Sequence, residues 1–120
     1  DINEDLILRT DKESFRSIFS NLLNNAIKYS PIGSKIVFNA AKEKKSIVIS
    51  IKDNGYGIEK NSIKRVFERF YRSSKARAHT KGTGLGLALV KQLSSRIGAN
   101  VKVESQINVG SEFFVSFQDK

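Results

Sequence analysis

Asn21, Asn25 and Lys28 recur at a spacing that could gather two amides and an amine on one side of a helix. At about 100° per residue, with Phe15 as origin, they fall near ~240°, ~280° and ~220°, a single polar stripe. An amide oxygen is a neutral, hard ligand that suits Mg²⁺, and a lysine beside it suits phosphate. The same residues would also serve as an ordinary solvated helix face. Further along, Asp53 precedes two glycines in Asp53-Asn54-Gly55-Tyr56-Gly57. Such glycines let backbone approach a planar ligand, and the carboxylate can accept from an exocyclic amine. Asp-Asn-Gly is equally the composition of a plain turn. Gly82, Gly84 and Gly86 alternate where a helical pattern begins, and free N–H groups at a helix start attract phosphate. They make no P-loop, since no Gly-Lys-Ser/Thr follows, and they sit in no strand–turn–helix dinucleotide unit. Phe67, Phe70 and Tyr71 suit a core or an apolar patch, and Arg72 follows them directly.

These clusters need elements to hold them. Leu6–Arg9 reads as a short strand, and Thr10-Asp11-Lys12-Glu13 has the spacing of a capping box. Phe15, Ile18, Phe19, Leu22, Leu23, Ala26 and Ile27 then follow the helical period. Their centre lies near ~20° on the same wheel, so the polar stripe is expected roughly opposite the buried face. Ser30-Pro31-Ile32-Gly33 stops that helix. Ile36, Phe38 and Ala40 alternate along a strand, Lys42-Glu43-Lys44-Lys45 make a charged turn, and Ile47, Ile49 and Ile51 alternate along an antiparallel partner. A short helix is expected around Asn61–Phe67, carrying Ile63, Val66 and Phe67. Ser73–Lys81 has no large apolar residue and reads as a mobile loop. The helix opened by Gly82–Gly86 should turn Leu85, Ala88, Leu89, Leu93 and Ile97 inward and end at Gly98. Val101 and Val103, then Phe113, Val115 and Phe117, give two more strands around a turn at Asn108-Val109-Gly110. This order predicts a two-layer α/β sandwich, with a mixed, mostly antiparallel sheet, helices on one face, and residues 1–120 as one domain.

Composition narrows the classes. A hydrophobic share of 39% beside 28% charged residues supports a core rather than a disordered tail. The absence of cysteine excludes a disulfide framework, a thiol nucleophile and a Cys-based zinc site, and a single histidine, His79, excludes a His-rich metal centre. No apolar run approaches the roughly 18 residues of a membrane helix, so an anchor would belong to a longer parent protein. The net charge of +9 is concentrated between Lys60 and Lys81, where eight basic residues accompany one acid, Glu68. Such a block favours nucleotide phosphates, nucleic acid or an acidic protein, or is a solvated basic face.

In order and spacing, Asn21-Leu22-Leu23-Asn24-Asn25-Ala26-Ile27-Lys28-Tyr29, Asp53-Asn54-Gly55-Tyr56-Gly57-Ile58, Phe67-Glu68-Arg69-Phe70-Tyr71-Arg72 and Gly82-Thr83-Gly84-Leu85-Gly86-Leu87 closely resemble four known boxes. They are the N, G1, F and G2 boxes of the catalytic, ATP-binding domain of bacterial sensor histidine kinases. The resemblance covers essentially the whole chain. It implies the Bergerat-type ATP-binding fold shared with gyrase, Hsp90 and MutL, with an ATP lid at residues 73–82. It implies that Asn25, with Asn21 assisting, coordinates the Mg²⁺ bridging the ATP phosphates, that Lys28 reaches those phosphates and that Tyr29 flanks the nucleotide. Asp53 is then the acceptor for the adenine amino group, with Gly55, Gly57 and Ile58 as pocket wall. Arg72 matches the arginine that approaches the γ-phosphate. Gly82, Thr83, Gly84, Leu85 and Gly86 would offer backbone to the phosphates, and Ser111 stands where this fold often has a hydroxyl near the adenine-binding aspartate.

The ATPase branches of this superfamily place a glutamate base four residues before the metal asparagine. Asn21 occupies that place here, and an amide cannot take a proton from water at neutral pH. The resemblance therefore implies a kinase that keeps the γ-phosphoryl for another nucleophile. That nucleophile is a histidine on a separate dimerisation domain of the same parent kinase, with a response regulator downstream. His79 lies in the lid without the acidic neighbour of the family's acceptor motif and is not expected to be phosphorylated. Lys81 before Gly82 and Arg96-Ile97-Gly98 depart from the usual pattern and bear on lid behaviour. The expected setting is the cytoplasmic portion of a membrane-anchored sensor, the isolated domain being a monomer with no nucleic-acid role. Two rivals are a nucleotide sensor of the same fold without turnover and a nucleic-acid binder built on the basic block. The second lacks aromatics alternating along a strand, as a stacking platform requires.

Overall fold

The computed structural model describes residues 12–72 and 85–118. The expected strand Leu6–Arg9, the capping residues Thr10 and Asp11, the lid stretch 73–82 with His79, and Gly82, Thr83 and Gly84 lie outside the described residues.

Helix α1 spans Lys12–Lys28, with Glu13 in its first turn and Lys28 in its last, each complementing the helix dipole. Strands β1 (Ile36–Glu43) and β2 (Ser46–Asp53) form a hairpin whose turn places Lys44 at φ 50°. Helix α2 (Gly86–Arg96) precedes β3 (Asn100–Gln106) and β4 (Gly110–Gln118). The four strands form one sheet in the order β1-β2-β4-β3, and each pairing is antiparallel. Thus β4, the last strand, inserts beside β2, so the chain's C-terminal hairpin completes the centre of the sheet.

Period-two alternation sorts the two faces. Ile47, Ile49 and Ile51 stand directly opposite Phe117, Val115 and Phe113, and all six are buried in one core with Ile18, Leu22 and Ala26 of α1 and Val90 of α2. Full burial of each such side chain contributes about 1.5–3 kcal/mol relative to exposure. Aromatic rings seal the margins. Phe15 stacks on Phe117 with centroids 5.7 Å apart, and Phe67 meets Phe113 edge-on at 6.1 Å.

The structure departs from the sequence expectation at three places. First, α1 buries Ser14, Ile18, Leu22 and Ala26, an arc centred near ~320° rather than ~20°. Leu23 and Ile27, expected inside, are 41% and 56% exposed. The cause is that α1 packs against α2 as well as the sheet, which pulls the buried arc toward α2. The stripe of Asn21, Asn25 and Lys28 consequently lies on the flank of the core, not opposite it.

Second, α2 turns Val90 and Ser94 into the core, with Leu87, Leu93 and Ile97 packed against it, whereas Leu85 and Leu89 are exposed. Positions 87, 90, 94 and 97 share one helical face, and Leu85 precedes the helix. Gly98 does end α2: at φ 75° its N–H donates to Ser95 O at 3.2 Å, and Ala99 N–H donates to Ser94 O at 2.8 Å. That pair of bonds is the Schellman closure expected of a glycine there.

Third, Asn61–Phe67 is a chain of turns rather than a helix. Ser62, Arg65, Glu68 and Tyr71 each donate from N–H to the carbonyl three residues back, at 2.8, 2.8, 2.9 and 3.2 Å. Val66 is buried and Phe67 packs on the core, which anchors the segment without the continuous ladder that offsets helix nucleation.

Candidate functional site

Asp53 is the last residue of β2, and Ser111 is its cross-strand partner near the start of β4. Alternation puts Asp53 on the same face as Ile47, Ile49 and Ile51, so a carboxylate stands at the end of an apolar row, 4% exposed. Its Oδ1 accepts from Gly55 N–H at 2.8 Å and Ser111 N–H at 3.3 Å. Burial pushes the carboxyl above its ordinary value, and the two backbone bonds pull it the other way. Both donors fall on Oδ1, which leaves Oδ2 as the oxygen that an amine donor could meet.

The loop after Asp53 is laced to two other elements. Tyr56 N–H donates to Tyr29 O at 3.0 Å, just past the end of α1, and Asn108 N–H donates to Tyr56 O at 2.8 Å from the β3–β4 turn. Glycine is required at three positions by the protein's own backbone. A Cβ on Gly55 would stand 2.1 Å from Tyr29 O, one on Gly57 2.2 Å from Gln106 O, and one on Gly110 2.0 Å from Asp53 O. Gly57 and Gly110 also have positive φ, 76° and 143°. Ile58 N–H donates to Ser105 Oγ at 2.7 Å. Ser111 reaches Asp53 through its N–H rather than its hydroxyl, which pairs instead with Ser105 Oγ at 2.7 Å. Sequence reasoning treated Gly110 only as a turn glycine and missed Ser105, because residue type carries no signal of which distant backbone will lie against it.

A second group lies where α1 and α2 meet. Asn21 and Asn25 are half-buried on the flank of α1, and Lys28 is exposed in its last turn. Asn21 Nδ2 donates to Ser17 O at 2.8 Å, which fixes the sense of the amide. Its Oδ1 faces α2, where a Cβ built on Gly86 would stand 3.3 Å away. Leu85, the N-cap of α2, makes no side-chain capping bond, and the first N–H groups of a helix are donors of the kind that suits an anion. Among the described residues no group of three His, Asp or Glu side chains could hold a metal ion. The neutral amide oxygens of Asn21 and Asn25 are hard ligands that suit a divalent cation carrying anionic ligands of its own.

Arg72 is half-buried immediately after Tyr71. The Tyr71 hydroxyl lies 2.6 Å from Ser62 Oγ, and the Arg65 guanidinium sits 4.3 Å over its ring while pairing with Glu68 at 3.2 Å. Phe70 is 69% exposed at φ 65°, a backbone region that bulky residues rarely occupy. The structure thus joins Tyr29, Asp53, Gly55, Ile58 and Ser111 in one bonded cluster, packs Gly57 between them on Gln106, and sets Asn21 against Gly86. An open concavity of about 520 Å³ by Glu43, Lys45 and Gln118 lies at the other end of β2 and gathers no comparable chemistry.

Solved structures share this architecture. The mycobacterial sensor histidine kinase MprB superposes with a TM-score of 0.84 and 30% identity, covering 92% of this chain and 75% of that one. Full-length ShkA in complex with AMPPNP gives a TM-score of 0.77 and 29% identity over 92% of this chain and 23% of that one. Among curated proteins, sensor histidine kinase WalK of Bacillus subtilis (strain 168) is 38% identical over 106 residues, 86% of this chain and 17% of WalK. Sensor-like histidine kinase SenX3 of Mycolicibacterium smegmatis (strain ATCC 700084 / mc(2)155) is 43% identical over 101 residues, 83% of this chain and 26% of SenX3. The chain thus spans about a fifth of the length of such relatives. Residues 10–120 match the family described as histidine kinase-, DNA gyrase B-, and HSP90-like ATPase, and the chain belongs to that family.

Proposed function

We propose that this domain binds Mg-ATP and donates its γ-phosphoryl group to a histidine on a separate dimerisation domain of a two-component sensor kinase, which then passes it to a response regulator. The observation that carries the reading is Asp53, a buried carboxylate whose Oδ1 is tied by two backbone N–H groups while Oδ2 takes no hydrogen bond from the described residues. That arrangement suits the adenine amino group, with Tyr29, Gly55, Gly57, Ile58 and Ser111 as its surroundings. Asn25, with Asn21, would hold the Mg²⁺ that accompanies the nucleotide, which offsets phosphate charge. Lys28, Arg72 and the backbone of Gly82, Thr83, Gly84, Leu85 and Gly86 would meet the phosphates. The AMPPNP complex of ShkA supports a nucleotide in this class of site.

In the transfer, an imidazole nitrogen of the partner domain bonds to the γ-phosphorus as the bond to the ADP oxygen breaks, and ADP leaves with that electron pair. This chain's part is to orient the phosphates and steady their charge. Asn21 stands four residues before Asn25 and cannot serve as a base for water, which disfavours hydrolysis. The parent setting, a cytoplasmic domain of a membrane-anchored sensor, belongs to the same proposal. Among the described residues no helix is long and apolar enough to cross a membrane.

Labelled ATP tests the reading. Acid-labile label should appear on an added histidine-containing domain and not on this chain alone, and Arg72→Ala should slow transfer. Stable label on the isolated domain would overturn phosphotransfer to a partner.

A further inference from the structure

Ser105, in β3, lies under the loop that follows Asp53, and its hydroxyl makes three contacts. Ile58 N–H donates to it at 2.7 Å, it donates to Gly110 O at 3.0 Å, and Ser111 Oγ lies 2.7 Å away. A hydroxyl has one proton and two lone pairs. The Gly110 carbonyl can only accept, so the Ser105 proton is committed there. With all three contacts kept as hydrogen bonds, Ser111 donates to Ser105, and Ile58 N–H fills the remaining lone pair. Every valence of Ser105 Oγ is assigned, and the Ser111 proton is committed as well.

This one oxygen therefore joins the loop carrying Gly57 and Ile58 to the first residues of β4. Those residues matter because Ser111 N–H is one of the two donors on Asp53 Oδ1, and at 3.3 Å it is the longer bond. Gly110 packs against Asp53 O so tightly that a Cβ would lie 2.0 Å from it. A shift at Gly110 or Ser111 is transmitted directly to the Asp53 backbone and to the oxygen that anchors its carboxylate.

We propose that Ser105 is a positioning residue that aims the Asp53 carboxylate, and so sets selectivity for an adenine amino group, by pinning Ile58 to Gly110 and Ser111. The selectivity rests on the ATP reading above, whereas the pin itself does not. Ser105→Ala and Ser105→Thr should be compared with the parent chain by calorimetry with ATP and GTP, and by hydrogen exchange at the Ile58 amide. Loss of the hydroxyl should lower ATP affinity about tenfold, lower the ATP-to-GTP preference by a similar factor and speed Ile58 exchange at least about tenfold. Threonine, which keeps the hydroxyl, should restore all three. Parent-like preference and exchange in Ser105→Ala would overturn the proposal. If Ser105→Ala does not fold, Ser111→Ala is the variant to read, since it removes one bond to Ser105 and keeps the N–H on Asp53. It should speed Ile58 exchange and weaken ATP binding by about two- to threefold, and no change in either refutes the pin. A parent chain that binds ATP no better than GTP would instead refute the adenine reading, with Ile58 exchange alone still deciding the role of Ser105.

Discussion

The two ends of the proposed nucleotide site are built on opposite principles. At the adenine end a buried carboxylate is held by backbone, and the glycines around it leave no space for a Cβ. At the phosphate end half-buried amides and an exposed lysine line a helix flank, and a Cβ on Gly86 would come only to 3.3 Å from a side-chain oxygen. One end is shaped by the fold before ligand arrives. The other is a set of polar groups that phosphate and cation would organise. On the proposed function, the contrast teaches that the base would be read by preformed geometry, while the reacting group would be met by adjustable charge.

Alanine at a glycine tests this contrast most severely. Gly110→Ala drives a Cβ into Asp53 O at φ 143° and should cost about 3 kcal/mol or more, read from the urea midpoint. A parent-like midpoint would mean that the close packing at the adenine end is dispensable. Next in size, Asp53→Asn should weaken ATP binding by about 1.5–3 kcal/mol, because an amide donor replaces a charged acceptor. The same variant should melt higher than the parent at neutral pH. Burial holds the folded-state carboxyl above its unfolded value, so the stability linked to this group is present at acid pH and lost as pH rises through the folded value. Thermal melts from pH 4 to 8 check the sign, and a parent that instead gains stability from Asp53 on going alkaline contradicts it. Asn25→Ala should be milder for the fold, within about 1 kcal/mol, and should abolish the Mg²⁺-dependent part of ATP binding while leaving the Mg²⁺-free part. Titrations with and without Mg²⁺ separate the two, and an undiminished Mg²⁺ effect removes Asn25 from the metal. The smallest effect belongs to Gly86→Ala, at the first position of α2, where a small gain in helix propensity opposes a small displacement of Asn21. Its midpoint should stay within about 1 kcal/mol of the parent, and collapse of the fold there would erase the distinction between the ends.

Much of this was legible from residue patterns. Alternation at Ile47, Ile49 and Ile51 located β2, and Asp53 could be placed at its end, because strand periodicity is set by the chain itself. Gly98 likewise announced the end of α2. Readings failed where a second neighbour decides. The wheel of α1 weighted Leu23 and Ile27 equally with Ile18 and Leu22, and only the presence of α2 reveals that buried Ser14 belongs to the core and Leu23 does not. The stretch Asn61–Phe67 has helical spacing but too short a run, so turns and a Ser62–Tyr71 contact prevailed. The candidate residues were recognisable by type and order. Their supports, Ser105 and Gly110, were not, since what qualifies them is the backbone they touch.

The pairing of Asp53 with Ser111 also has a kinetic meaning. Its hydrogen bond closes a separation of 58 residues, and that of Ile58 with Ser105 closes 47, whereas the tie of Asn21 to Ser17 spans four. Contacts of such high order are entropically late, and the strands that deliver them, β3 and β4, come last in chain order among the four. Recognition of a base at Asp53, as proposed, would thus be tied to completion of folding, while the asparagine stripe exists as soon as its helix does. A nucleotide added during refolding should leave the folding rate unchanged and slow only unfolding, as stopped-flow measurements in urea would register.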